Sequence, residues 1–280
     1  MKVSIVLPTY NGQEFIEESI KSIICQDYIN WELIIVNDCS TDQTLEISKK
    51  YENQDKRIKV ISNNVNQRLP QSLNNGFSIS TGELLTWTSD DNICHSNYLS
   101  KLVEEINNGY DFIYSDYDII DECGEFKRVH HVSHPARIME YNVVGASFLY
   151  RRGVMNDIGF YDKDLFLLED YDYWIRIIRK FKAKNIPESL YSYREHYNSL
   201  SSQRSAEIQN KLIQYFINNF DENREYFSKE QVSNALASQL YRCCKNRELL
   251  LFFMVLRKVF SFGTYSVFLS VFRKVFNGNG

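Results

Sequence analysis

Four short apolar runs, Val3–Leu7, Glu32–Val36, Ile58–Ser62 and Glu83–Thr88, alternate with stretches of helical spacing. That alternation restricts the chain to a layered α/β architecture. Phe15, Ile16, Ile20, Ile23 and Ile24 mark one helix face. Ser40 and Gln43 predict a capping box for a helix through about Tyr51. Leu73 and Phe77 share a helical face, and Ser96 is placed to cap a helix carrying Leu99, Leu102, Val103 and Ile106. The βαβα order predicts a mostly parallel central sheet flanked by helices.

After Asp111 the rhythm breaks. Asp111–Ile120 and Val143–Tyr150 read as strands, Asp170–Lys180 as a helix and Leu190–Arg194 as a short extended segment. From about Ser205 the pattern is helical to the end. The expected division is therefore a domain over 1–205 and a helical extension over 206–280.

A chain of 280 residues can bury a substantial core. Its formal charge of −4 argues against nucleic acid as the main partner, because phosphate binding needs a clustered positive field. Six cysteines without a CxxC pair suit reduced thiols rather than a zinc site or a disulfide frame. The opening MKVSIVLPTY is too short an apolar run for a signal peptide, and no uncharged stretch approaches the ~20 residues of a membrane span. The expectation is a cytoplasmic protein.

The chemistry is concentrated at strand ends. The first strand runs into Pro8-Thr9-Tyr10-Asn11, the second into Asn37-Asp38 and the fourth into Ser89-Asp90-Asp91-Asn92. In an open parallel sheet ligands bind beyond the carboxyl ends of the strands, so three strands deliver polar groups to one edge. Crowded carboxylates repel unless a cation sits between them. A hard ion such as Mn²⁺ or Mg²⁺, completed by diphosphate oxygens, fits such a set. Neither GxxxxGK[ST] nor GxGxxG is present, which weakens P-loop hydrolysis and nicotinamide chemistry.

The segments VSIVLPTYN, WELIIVNDCSTDQT, GELLTWTSDDN, LLEDYDYWIR and YREH, in this order, resemble the signatures of family 2 of the inverting glycosyltransferases, which have the GT-A fold. The resemblance spans roughly residues 3–200. It implies a nucleotide-sugar donor, with UDP favoured and GDP or dTDP left open, and a saccharide acceptor. Asp38 would bind the base, although the usual pair of acids here reads Asn37-Asp38. Pro8, Thr9 and Tyr10 resemble the loop that packs on the base. Asp90 would serve the nucleotide sugar and Asp91 the metal. Asp170 resembles the general base, with Glu169 and Asp172 as neighbouring acids and Trp174 one helical turn on as a sugar-stacking ring or a core residue. Arg194 and His196 resemble the segment that folds over the diphosphate, His196 as a metal ligand and Arg194 as a charge partner. Arg68 stands where the family usually has a small residue, and would meet base, phosphate or solvent.

The apolar tail from Glu248 is punctuated by Arg257-Lys258 and Arg273-Lys274, a pattern for helices at an anionic membrane surface or for packing on protein. The first option suits a lipid-linked acceptor in surface polysaccharide assembly. Two other classes compete. A sugar-nucleotide nucleotidyltransferase would need a basic loop after the first strand, and PTYNGQEF has neither Arg nor Lys. The other is a non-catalytic nucleotide- or sugar-binding module, against which intact Asp38, Asp91 and Asp170 argue.

Overall fold

The computed structural model describes residues 1–262. Two compact units emerge, one of residues 1–133 and 144–199, the other of 134–143 and the chain from Leu200. The first unit thus ends at Ser199 rather than 205, and a ten-residue insertion is assigned away from it.

In the first unit, strands β1 (Val3–Thr9), β2 (Trp31–Asn37), β3 (Ile58–Ser62) and β4 (Leu84–Trp87) alternate with helices α1 (Ile16–Ile24), α2 (Thr44–Gln54) and α3 (Arg68–Ile79). All four strands are parallel, in the order β3-β2-β1-β4. β1 is buried along its whole length, which is why its run is apolar without alternation. Ile16, Ile20 and Ile23 of α1 enter the same core as Ile5, Leu7, Leu33 and Ile35. α3 lies against β1 and β2 at Gly76, where a Cβ would come within 2.5 Å of Val6.

The remainder comprises β5 (Ile93–Cys94), α4 (Tyr98–Asn107), β6 (Phe112–Ile120), β7 (Phe126–His130), β8 (Phe148–Arg151), α5 (Arg152–Ile158), α6 (Glu169–Ile178) and β9 (Ala183–Arg194). These strands extend the sheet as β4-β8-β6-β9-β5, with β7 on β6. Here β6 and β9 are parallel and the other pairings antiparallel, the break in rhythm seen after Asp111.

Two local signals were overridden. The Ser40/Gln43 box does not form: α2 is capped by Asp42, whose Oδ1 accepts the Thr44 N–H at 3.0 Å. Ser96 does not cap α4 either. Gln26, from the end of α1, accepts the Leu99 N–H at 3.0 Å instead. At α4 a partner distant in sequence satisfies the helix donors, and local spacing cannot reveal it; at α2 a neighbouring acid does so in place of the box.

The second unit carries α7 (Leu200–Gln203), α8 (Ser205–Asn223), α9 (Lys229–Asn246) and α10 (Leu249–Phe262). Its core joins Ile213, Phe216 and Phe220 to Val232, Leu236 and Leu240, and these to Val255 and Val259. Among the described residues no helix is long and apolar enough to cross a membrane. Arg273 and Lys274 lie outside the described residues.

Candidate active site

The parallel strands end level with one another. Thr9 pairs with Asn37, and Asn37 with Ser62, so the loops after β1, β2 and β3 open side by side. Asn11, at φ 55, accepts the Thr41 N–H at 2.8 Å and ties the first loop to the second. Asn tolerates this left-handed backbone better than most residues.

Asp38 is buried at the base of this edge. Its Oδ1 accepts from Asn63 Nδ2 and from the Gln67 N–H, each at 2.8 Å, and its Oδ2 accepts the Arg68 N–H at 2.8 Å. Oδ1 therefore has two donors and Oδ2 one, leaving Oδ2 with acceptor capacity for a ligand N–H. Asp38 faces the start of α3 and does not cap α2.

At the end of β4 two carboxylates part company, as neighbours on an extended chain must. Asp90 turns to β1, where the Thr9 hydroxyl donates to its Oδ2. A Cβ on Gly12 would come within 2.1 Å of that oxygen, so the glycine is what lets the first loop close over Asp90. Burial, reinforced by the Asp91 charge, pushes the Asp90 carboxyl from 3.8 up to about 7. Asp91 turns to His196, whose Nε2 lies 3.0 Å from its Oδ2. That contact raises the His196 pKa. The other oxygen, Asp91 Oδ1, is buried with no hydrogen-bond partner among the described residues. An unpartnered carboxylate oxygen beside an imidazole is a fit for a divalent ion. No group of three protein ligands occurs among the described residues, so such an ion would need oxygens from its substrate.

The Asp90 shift has a measurable consequence. A carboxyl with a raised folded pKa keeps its proton longer in the folded state, so its contribution to stability is greatest below the unfolded value and falls as pH rises towards the folded one. The ligand-free thermal midpoint should fall between about pH 4 and pH 7, in line with the shift to about 7. Asp90→Asn should flatten that slope. Equal slopes in the two proteins would show that Asp90 ionises normally.

The family model for glycosyl transferase family 2 matches residues 4–173. The chain belongs to glycosyl transferase family 2. It is 31% identical over 240 residues to an uncharacterised glycosyltransferase of Haemophilus influenzae, covering 77% of this chain and 74% of that one. It is 27% identical over 212 residues to the Escherichia coli UDP-Glc:alpha-D-GlcNAc-diphosphoundecaprenol beta-1,3-glucosyltransferase WfgD, covering 74% and 82%. The crystal structure of S. aureus TarS in complex with UDP-GlcNAc shares the fold, with a TM-score of 0.71 at 19% identity over 98% of this chain and 85% of that one.

Within the family 2 transferase the sequence-predicted residues separate into groups. Thr9 contacts Asp90, and Asp91 contacts His196. Pro8 is buried in β1, whereas Tyr10 is 51% exposed beyond it. The Arg68 guanidinium is exposed, 5.2 Å from the Phe166 ring centroid. Glu169 and half-buried Asp170 open α6. Asp172 is paired with Arg176 Nε at 2.7 Å.

The structure decides between the two readings of Trp174 and corrects that of Arg194. Trp174 is 0% exposed, stacked on Phe112 at 5.0 Å and packed on Phe148 at 4.5 Å, so it is a core ring that touches no sugar. Arg194 is buried and its guanidinium is engaged by the protein instead of open to a ligand's charge: Nε donates to the Asp91 carbonyl at 2.9 Å, Nη1 to that of Glu122 at 3.0 Å and Nη2 to Glu18 at 2.6 Å. Sequence reasoning missed Gly12, Asn63 and Asn92. The Asn-Gly pair at 11–12 was a readable turn signal. Asn63 and Asn92 carried none, because only their spatial neighbours give them a role.

Proposed function

We propose that this glycosyltransferase transfers a sugar from a UDP-sugar to an acceptor hydroxyl in one displacement that inverts the anomeric centre. The observation that carries the proposal is the buried, unpartnered Asp91 Oδ1 beside His196, on the same sheet edge as Asp38. Asp38 Oδ2 would accept an N–H of the base, with Pro8, Thr9 and Tyr10 against its ring and Arg68 at the mouth. Asp90 would hold the sugar end. Asp91 and His196 would hold Mn²⁺ or Mg²⁺, which when bound neutralises charge on the departing diphosphate. Asp170 takes the proton of the acceptor hydroxyl as its oxygen bonds the anomeric carbon, while the bond from that carbon to the diphosphate breaks and UDP leaves. Glu169 lies beside it on the acceptor side.

The acceptor in this reading is a lipid-linked saccharide in surface polysaccharide assembly, supported by the diphosphoundecaprenol substrate in the name of the E. coli relative. The transferase would then work at the cytoplasmic face of the membrane. Leu249, Leu250, Phe253 and Phe260 of α10 are 69%, 74%, 56% and 68% exposed, an apolar surface suited to that contact. Lys258 is not free to join it, because its ammonium pairs with Asp221 at 2.6 Å. Truncation after Glu248 should abolish sedimentation with anionic vesicles. Undiminished sedimentation would remove the membrane role from this helix.

The donor site is tested by thermal unfolding with UDP, GDP or dTDP, with and without Mn²⁺. A ligand at 100 times its dissociation constant adds ~2.7 kcal/mol, several degrees for a protein of this size. UDP should give the largest shift, and metal should enlarge it. A UDP shift that is the same with and without metal would remove the ion from the proposal, and a larger one for GDP or dTDP would change the donor.

A further inference from the structure

We infer that Arg194 is the positioning residue of the Asp91–His196 pair: it sets the affinity of that pair for a divalent cation without touching the donor. The inference rests on the metal reading proposed above.

Arg194 is 2% exposed, yet its guanidinium remains charged in any protein. A buried cation must be surrounded by acceptors, and where those acceptors lie decides what it holds in place. Its backbone N–H donates to Asn92 Oδ1 at 2.8 Å, and its Nε to the Asp91 carbonyl at 2.9 Å. One residue thus grips two consecutive residues of the loop after β4. Nη1 holds the turn between β6 and β7 through the carbonyls of Asp121 at 3.4 Å and Glu122 at 3.0 Å. Nη2 bonds Glu18 on α1 at 2.6 Å, which supplies the counter-charge.

The cation also connects to the ligands themselves. The guanidinium lies 4.7 Å from the Phe15 ring centroid, and the same ring meets the His196 imidazole edge-on at 5.2 Å. His196 follows Arg194 by two residues, so one strand end fixes the imidazole while its arginine fixes the backbone of the carboxylate. The separation of Asp91 from His196 is therefore set by residue 194. Lysine cannot replace it, because a point charge lacks the planar fork that reaches carbonyls in two directions.

The test is Mn²⁺ binding to the full-length protein with saturating UDP, followed by loss of the free-Mn²⁺ electron paramagnetic signal. Arg194→Lys should raise the half-saturating Mn²⁺ concentration by about tenfold or more, the range for partners that orient metal ligands. UDP binding without metal should stay within about twofold of the parent. Glu18→Gln, which removes only the counter-charge, should shift Mn²⁺ binding the same way by less, and it decides the matter if Arg194→Lys does not fold. Parental Mn²⁺ affinity in the folded variants would overturn the inference while leaving the metal site standing. No Mn²⁺ binding by the parent would overturn both.

Discussion

Asp170→Asn should lower kcat by about 10²–10⁴-fold while leaving UDP binding intact. The amide matches the carboxylate in shape but cannot take a proton from the acceptor hydroxyl. Its carbonyl oxygen can still accept the Tyr171 N–H, which lies 2.7 Å from Asp170 Oδ1, so the opening of α6 should survive. Kinetics with saturating acceptor, together with the thermal shift by UDP, check both halves. A rate within a few-fold of the parent would pass the base role to Glu169 or Asp172, the other acids at the start of α6. Loss of both rate and UDP shift would mean that the substitution damaged the fold rather than the chemistry.

Asp91→Ala should abolish the metal-dependent part of the UDP shift and lower the transfer rate by about 10²–10³-fold, the worth of several kcal/mol of charge stabilisation. The substitution removes the free Oδ1 and also the acceptor that raises the His196 pKa. His196 would then titrate nearer its ordinary value, and a pH titration of its imidazole signals should show that fall. A metal-dependent shift that persists in the variant would move the cation to Asp90. That outcome is chemically distinct, because Asp90 is engaged by the Thr9 hydroxyl and resists ionisation through burial.

The legible parts of the fold are those where one periodicity operates over a whole element. β3 is Ile58–Ser62 in pattern and in structure, and β1 and β2 lengthen by only a residue or two. The illegible parts depend on neighbours. β5 has two residues, too few for a pattern, and exists because β9 runs beside it. β9 starts at Ala183, seven residues before its apolar stretch at Leu190, because β6 offers it a parallel edge with register shifts. Val143–Tyr150 shrinks to a strand at Phe148–Arg151.

The sequence alone determined the alternation of strands and helices, and with it the edge at which Thr9, Asp38, Asp90 and Asp91 open. Burial period and the parallel connection rule act along the chain, so they are written in it. It also carried the ordered motifs that place the chain in its family. Only the tertiary structure decided what each polar group faces. Arg194 turns into the protein to hold the loop of Asp91, Trp174 enters an aromatic core, and Gln26 rather than Ser96 caps α4. These outcomes follow from hydrogen-bond satisfaction and close packing between segments distant in sequence. Such forces select partners by position in space, and residue spacing does not encode that position.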